Sequence, residues 1–164
     1  MKFMKHIPNT KHIGFHNNYN FHKINEIGLN KAYQADKKLH VDGDTLFIAG
    51  TSNKQDVWDD ITKVPFYGSV KDSQRYKDAE EVLKANPQVK NIRGHSLGGS
   101  VTLELDKKHK DKFNTTTYGA PVVQLSSKKG QRFRHLGDPV SMFDNGAINV
   151  PKFNFNPHSY TGYA

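Results

Sequence analysis

Short apolar segments with the composition of β-strands alternate along the chain with longer segments of helical periodicity, and this alternation limits the fold more than any other feature. The strand candidates are, in order, DTLFIAG (44–50), VKNIR (89–93), KFNTTTYG (112–119) and QRFRHLG (131–137). Strands separated by helices usually pair in parallel, with the helices packed on the faces of the sheet. A chain of 164 residues encloses a single core. The sequence therefore predicts one α/β domain, residues 1–164, with a mostly parallel sheet flanked by helices.

The helical segments between these strands are identified by apolar residues three or four positions apart. They are 23–39, 56–64, 72–85 and 97–110. The first places five apolar residues on approximately one face, ahead of a turn at 42–43: Ile24, Ile27, Ala32, Ala35 and Leu39. In the third, Asp72 or Ser73 is the predicted N-cap, because short polar side chains accept hydrogen bonds from the first amides of a helix.

Residues 1–22 are rich in Lys, His and Asn and have no steady period. This composition predicts a loosely ordered N-terminal arm or an extended strap packed on the domain. His12 and His16 have a spacing that suits a shared metal ion on a helix, but Gly14 lies between them and no carboxylate is near. Solvated or locally packed histidines are the preferred interpretation, and no metal or cofactor is predicted.

The charge balance is strongly positive, with 24 Lys and Arg against 16 Asp and Glu and a net charge of +8. Such a field favours partners that carry phosphate, either lipid head groups or nucleic acid. Three clusters contribute, at 107–110, 128–129 and 132–134. They are interpreted first as solvated faces and second as a surface that is attracted to anionic membranes; no specific nucleic acid is predicted.

Two absences narrow the setting. The chain has no cysteine, which excludes disulfides, thiolate zinc sites and cysteine nucleophiles. It shows neither the apolar core of a signal peptide in its first residues nor an apolar run of about 20 residues that would span a membrane. The expectation from these patterns is an intracellular or virus-associated protein.

One stretch, RGHSLGGSVTLEL (93–105), carries the strongest chemical signal. It contains Gly-x-Ser-x-Gly between a predicted strand and a predicted helix. In that context, glycines allow a tight turn that presents the hydroxyl of Ser96 above the sheet, while the helix start supplies amide groups for a developing oxyanion. The alternative is an ordinary serine in a glycine loop.

A serine nucleophile needs a base and an acid, which in this arrangement follow it in the order acid, then histidine. Asp138, in HLGDPV just past a predicted strand, is the preferred acid, and Asp144 is the second choice. His158, in NPHSYTGY, is the preferred base because it follows the acid. His135 is the alternative base.

Several segments together resemble the class 3 lipases, the fungal-lipase-like branch of the α/β-hydrolase superfamily. LFIAGTSNKQDVWDDI resembles the strand, oxyanion turn and Asp-Trp helix of that family, and IRGHSLGGSVTLEL its nucleophile elbow. TTTYGAP resembles the strand after the elbow, HLGDPVSMF the acid loop and PHSYTGY the histidine loop. The resemblance runs in order from about residue 43 to 163.

The resemblance implies a minimal α/β-hydrolase with Ser96 as nucleophile, Asp138 as acid and His158 as base. It also implies an oxyanion hole formed by Thr51 and the backbone N–H of Leu97. A hydroxyl residue directly after a strand-ending glycine suits this role on physical grounds, although Thr51 can also be an ordinary turn threonine. The chain departs from the family in having Ala49 where an arginine usually stands, and in being shorter.

Residues 53–66 occupy the position of the family's lid. The apolar face formed there by Val57, Trp58 and Ile61 is expected either to cover the site or meet a lipid surface, or to pack in the core. The substrate class that the resemblance implies is a carboxylic ester of a lipid, an acylglycerol or a phospholipid. Two alternatives stand beside it: an esterase or thioesterase for small acyl groups, and an inactive basic module that binds membranes or nucleic acid.

Overall fold

The computed structural model of the chain describes residues 10–52, 70–121, 130–141, 144, 146–150 and 158–164, with the backbone alone for 10–17. The helices in these ranges are α1 (Thr10–Gln34), α2 (Gln74–Ala85) and α3 (Leu97–Lys108). The strands are β1 (Leu39–Asp42), β2 (Thr45–Ile48), β3 (Asn91–His95), β4 (Asn114–Tyr118), β5 (Gln131–His135) and β6 (Ile148–Val150). The predicted helix at 56–64 lies outside the described residues. None of the described helices has the length and apolar character that crossing a membrane requires.

The six strands form one sheet in the order β1-β2-β3-β4-β5-β6. The edge strand β1 is antiparallel to β2, and every other neighbouring pair is parallel. The prediction of a mostly parallel sheet in an α/β domain is therefore confirmed. Because β2 to β5 run in the same direction, the segments that follow them all begin at one edge of the sheet.

Alternating side chains of β2 show how both faces of the sheet are covered. Leu46 and Ile48 pack in a cluster with residues of α2 and α3, among them Ala79 and Val101. Phe47, between them, packs on the opposite face against α1. Successive side chains of a strand point to opposite faces, so α1 covers one face and α2 with α3 covers the other.

Helix α2 begins where the sequence predicts. Ser73 is its N-cap: the side-chain oxygen accepts a hydrogen bond from the backbone N–H of Tyr76 at 3.2 Å. The buried residues Tyr76 and Ala79 lie three positions apart and turn the same face towards the sheet. The opposite side of the helix, with Gln74, Lys77, Glu81 and Lys84, is exposed.

Helix α1 corrects the prediction for the N-terminal region. It begins at Thr10, so residues 10–22 are helical rather than a loosely ordered arm or strap; residues 1–9 lie outside the description. The predicted apolar face is also wrong, because Ile24 and Ile27 are 62% and 52% exposed. The face that packs on the sheet carries two polar residues instead, His22 and Asn25, together with Leu29 and Ala32.

The end of α1 and both edges of the sheet also differ from expectation. The helix stops at Gln34 instead of continuing to residue 39, and Lys38 adopts a positive φ of 56° that turns the chain. Leu39 then opens β1, which pairs with β2 across the predicted turn at Gly43. The short edge strand β6 was not predicted. Its three residues are too few to carry a periodic pattern.

The hydroxyl of Tyr118 joins α1 to β4. Asn25 donates its side-chain N–H to this oxygen at 2.8 Å, and the hydroxyl proton faces Nδ1 of His22 at 2.9 Å. His22 must be neutral at Nδ1 to accept that proton. Burial lowers the pKa of His22, and the nearby Glu26 carboxylate opposes only part of this change.

We expect acid to weaken the fold through His22. Since its pKa is lowered in the folded state, its contribution to stability is complete above the unfolded value of 6.5 and is lost as the pH falls below it. The test is the free energy of unfolding in urea at pH about 7.5 and about 5, for wild type and His22→Asn. The asparagine variant keeps an uncharged acceptor, so its free energy of unfolding is expected to fall less between the two pH values than that of wild type. Equal losses would contradict this role.

Candidate active site

Ser96 lies between strand β3 and helix α3, on the turn that the sequence predicts. Its backbone has φ 53° and ψ −126°, a conformation that residues other than glycine rarely adopt. Holding a side chain there costs on the order of 1–3 kcal/mol, which the surrounding structure must offset. Backbone strain of this kind is typical of functional turns.

The two glycines beside this serine allow the strand and the helix to approach closely. A Cβ atom on Gly94 would lie only 2.3 Å from the carbonyl oxygen of Gly98. Ser96 precedes the helix in the N-cap position, yet its side chain makes no capping hydrogen bond. The hydroxyl is directed to another segment instead.

Ser96, His158 and Asp138 form one hydrogen-bonded chain. Nε2 of His158 lies 2.8 Å from Oγ of Ser96, and Nδ1 lies 3.1 Å and 3.2 Å from the two carboxylate oxygens of Asp138. Ser96 and Asp138 are 3% and 2% exposed, whereas His158 is half-buried. The structure thus brings together the three side chains that the sequence predicts to meet, from the β3–α3 turn, the loop after β5 and the C-terminal segment.

The carboxylate of Asp138 has two further donors. The backbone N–H of Val140 donates to Oδ1 at 2.9 Å, and the hydroxyl of Ser141 donates to Oδ2 at 2.7 Å. Together with His158 they hold the carboxylate in one orientation. The hydrogen bond from Ser141 was not predicted from the sequence.

Gly119, in the segment TTTYGAP, leaves room for this pair. It has φ 55°, and a Cβ atom there would lie 2.9 Å from Oδ2 of Asp138 and 3.3 Å from Nδ1 of His158. Any larger residue would be strained by its backbone and would press on both side chains. A steric requirement therefore explains why residue 119 is glycine, and no local pattern in the sequence reveals this requirement.

The alternative base and acid have other contacts. His135 is 1% exposed, with Nε2 placed 2.8 Å from the backbone oxygen of Thr161 and its ring stacked on Tyr163. Asp144 is equally buried and pairs with Arg132, Nε to Oδ2, at 3.2 Å. The geometry favours His158 over His135 and Asp138 over Asp144.

The turn that contains Thr51 passes directly against Ser96. A Cβ atom on Gly50 would lie 2.7 Å from Cβ of Ser96, and Thr51 follows immediately. On the other side, Leu97 is the first residue of α3, where backbone N–H groups have no acceptor within the helix. Both residues predicted for an oxyanion hole thus belong to segments that adjoin the serine.

Arg75 of α2 was not predicted, and it holds this turn from outside. Its Nη1 donates to the carbonyl oxygen of Ala49 and, at 3.3 Å, to that of Gly50. Burial lowers the pKa of Arg75, while Tyr33 and Asp78 oppose the change; a guanidinium stays charged under these conditions. A cation on the Gly50 carbonyl polarises the peptide unit whose N–H belongs to Thr51, which strengthens that donor.

His95 immediately precedes the serine, and its chemistry was also missed. It is fully buried on its strand, with its ring centroid 5.0 Å from that of His158. Burial, followed by repulsion from His158 and His135, lowers the pKa of His95 well below its ordinary value, although the backbone carbonyl of His158 acts in the opposite direction. Two neighbouring imidazoles therefore differ: His95 stays neutral, while His158 has a carboxylate to stabilise its charge.

Other predicted features lie apart from this cluster. The lid candidates Val57, Trp58 and Ile61 are outside the described residues. Of the basic clusters, Arg132 is buried against Asp144 and is no part of a charged surface. Among the described side chains, no three His, Asp or Glu residues are grouped closely enough to hold a metal ion.

The arrangement has a definite chemical capacity. A neutral imidazole with Nδ1–H donated to a carboxylate can accept a proton at Nε2, and here Nε2 faces a serine hydroxyl. The proton therefore has an acceptor within hydrogen-bonding distance, and the imidazolium that forms has a counter-ion. These are the requirements for nucleophilic attack by the serine oxygen.

Comparison of the chain with family models, with curated proteins and with solved structures gave no match in any of the three. The interpretation of the site therefore depends on its own geometry and on the sequence motifs that predicted it.

Proposed function

We propose that this chain is an α/β-hydrolase that cleaves carboxylic esters of lipids through a covalent acyl-enzyme on Ser96. The observation that carries the proposal is the continuous hydrogen-bonded chain from the Ser96 hydroxyl through His158 to Asp138, with the serine on a strained turn between strand and helix. Ser96 thus combines a strained backbone, a buried side chain and a proton acceptor within hydrogen-bonding distance of its hydroxyl.

In the first step, His158 removes the proton of Ser96 at Nε2 as the serine oxygen attacks the ester carbonyl. The tetrahedral intermediate carries a negative charge on the former carbonyl oxygen. The N–H groups of Leu97 and Thr51 are the donors for that charge, with Arg75 adding positive potential behind the Thr51 peptide. Asp138 keeps the imidazole in the required tautomer and stabilises its charge.

Collapse of the intermediate passes the proton from His158 to the departing alcohol and leaves the acyl group on Ser96. Water then enters, gives its proton to the same nitrogen and attacks the acyl carbonyl. When the second intermediate collapses, His158 returns its proton to the oxygen of Ser96, the carboxylic acid leaves and the serine hydroxyl is restored. Every proton in this cycle moves through Nε2 of His158, so the reaction needs one base and no added cofactor.

The substrate class rests on the motif resemblance and on charge. The segments around Ser96, Asp138 and His158 resemble those of lipases, and the net charge of +8 is suited to the anionic surface of a membrane. An acylglycerol or a phospholipid satisfies both observations. The hydrophilic composition, 35% apolar residues, favours small soluble esters as the second candidate.

We expect the purified protein to react with a fluorophosphonate, and the adduct to be located on Ser96 by mass spectrometry. We also expect rates on p-nitrophenyl esters to hold or rise from acetyl to octanoyl, because an apolar acyl site gains roughly 0.8 kcal/mol for each buried methylene. The measurement is kcat/KM for each ester.

The two parts of this test are independent. Failure of the protein to label would remove the hydrolase proposal and would leave the inactive binding module as the remaining reading. Labelling at Ser96 together with a sharp preference for acetyl esters would instead replace the lipid substrate with a small acyl ester.

A further inference from the structure

We propose that Tyr33 of helix α1 is a positioning residue that holds together the three segments of the active site. This inference rests on the proposed function. Tyr33 contacts the turn at Gly50, the strand residue His95 and the loop residue Tyr160. Each of them lies within two residues of a group assigned to the reaction: Thr51, Ser96 and His158.

The hydroxyl of Tyr33 makes two of these contacts. The backbone N–H of Gly50 donates to its oxygen at 3.1 Å, and Nδ1 of His95 lies 2.6 Å away. The oxygen already accepts from Gly50, and its own proton points to His95, which is neutral in this buried position and can accept it. Burial raises the pKa of Tyr33 to about 12, with the Gly50 hydrogen bond opposing part of the rise, so the hydroxyl keeps the proton.

The ring of Tyr33 makes the third contact. It stacks on Tyr160 with centroids 5.0 Å apart and planes inclined by 19°. Tyr160 is also tied to α1 by its hydroxyl, which donates to Asn30 at 3.1 Å. Nearby, Glu26 accepts the backbone N–H of Gly162 at 2.8 Å. The loop that carries His158 is therefore anchored to α1 on both sides of Thr161.

These contacts place the Tyr33 hydroxyl between the oxyanion turn and the serine elbow. The Gly50 amide and the Nδ1 atom of His95 both face its oxygen, so one group sets the separation of the two segments. Without it, a buried donor and a buried acceptor would each have to find a new partner, and the turn would shift to provide one. Displacements of about 1 Å at a catalytic site can cost about 10²-fold in rate.

The test compares Tyr33→Phe with Tyr118→Phe. Both variants remove a buried hydroxyl that joins α1 to the sheet by two hydrogen bonds. The hydroxyl of Tyr118 binds His22 and Asn25, and among the described residues it has no hydrogen bond to the oxyanion turn or to the His158 loop. We expect Tyr33→Phe to lower kcat by about 10- to 100-fold with KM changed by less than about threefold. Tyr118→Phe is expected to lower the unfolding midpoint while kcat stays within about twofold of wild type.

Three outcomes decide the proposal. Wild-type kcat in Tyr33→Phe would overturn it, and so would an equal loss in both variants, since that would indicate a general effect of undocking α1.

If Tyr33→Phe fails to fold by circular dichroism, His95→Asn and His95→Leu replace it. The asparagine retains an acceptor for the Tyr33 proton and should keep most of kcat, the leucine should not, and equal rates would refute the role. A wild type without fluorophosphonate labelling would refute the hydrolase proposal itself.

Discussion

Ser96→Ala is expected to lower the rate of ester hydrolysis by about a million-fold and to abolish fluorophosphonate labelling. The substitution removes the oxygen that would form the acyl bond, so only the residual catalysis by substrate binding and the oxyanion donors is expected to remain. His158→Ala is expected to have an effect of similar size, because the serine hydroxyl then has no proton acceptor at the 2.8 Å position. The measurement is kcat on a p-nitrophenyl ester, with the fold checked by circular dichroism.

The double variant and a second histidine make this expectation specific. Residues that act as one unit are far from additive, so Ser96→Ala combined with His158→Ala should be no slower than either alone. His135→Gln is the matched control, since glutamine can still donate to the Thr161 carbonyl that His135 contacts. Activity near wild type is expected there. Full activity of His158→Ala together with loss of activity in His135→Gln would indicate that His135, not His158, is the base.

Asp138→Asn is expected to lower kcat by about 10⁴-fold while the protein remains folded. The amide has nearly the shape of the carboxylate, and its oxygen can still accept the Val140 N–H bond. Its nitrogen, in the place of Oδ2, is however a donor, and it can bond Nδ1 of His158 only when that ring nitrogen carries no proton. The imidazole then favours the tautomer with its proton on Nε2, which leaves Ser96 without a base. Measurement of kcat and of the fluorophosphonate labelling rate tests this.

Asp144→Asn supplies the matched control for that variant. Asp144 is as buried as Asp138, and it was the second choice for the acid from sequence, but its partner is Arg132. We expect a loss of stability, because a buried guanidinium is left without its counter-charge, and a kcat close to wild type. If instead Asp144→Asn lost activity and Asp138→Asn kept it, the assignment of the acid would be wrong.

The parallel sheet and the serine turn could be predicted because their signals are local. A short apolar strand, a glycine pair around Ser96 and a capped helix at Ser73 each occupy fewer than about 15 consecutive residues, where steric and hydrogen-bonding rules act directly. The order of Asp138 and His158 after the serine added a constraint from chain direction. The structure places both beside Ser96.

The wrongly predicted face of α1 shows a limit of local sequence patterns. Ile24 and Ile27 are exposed, whereas His22 and Asn25 are buried because Tyr118 on β4 satisfies their polar atoms. A hydropathy pattern assigns burial from the residue alone. Whether a polar side chain can be buried depends on a partner that lies more than ninety residues away in the chain.

By itself, the sequence determined the α/β class, the turn at Ser96 and the choice of Asp138 and His158 as the side chains expected beside it, since each depends on residue type, short spacing or chain order. Only the tertiary structure decided what supports them: Tyr33 from α1, Arg75 from α2 and Gly119 after β4. These residues act by contact with backbone groups and side chains of distant segments. Such contacts leave no periodic or spacing signal, because they exist only once the sheet has brought the segments to one edge.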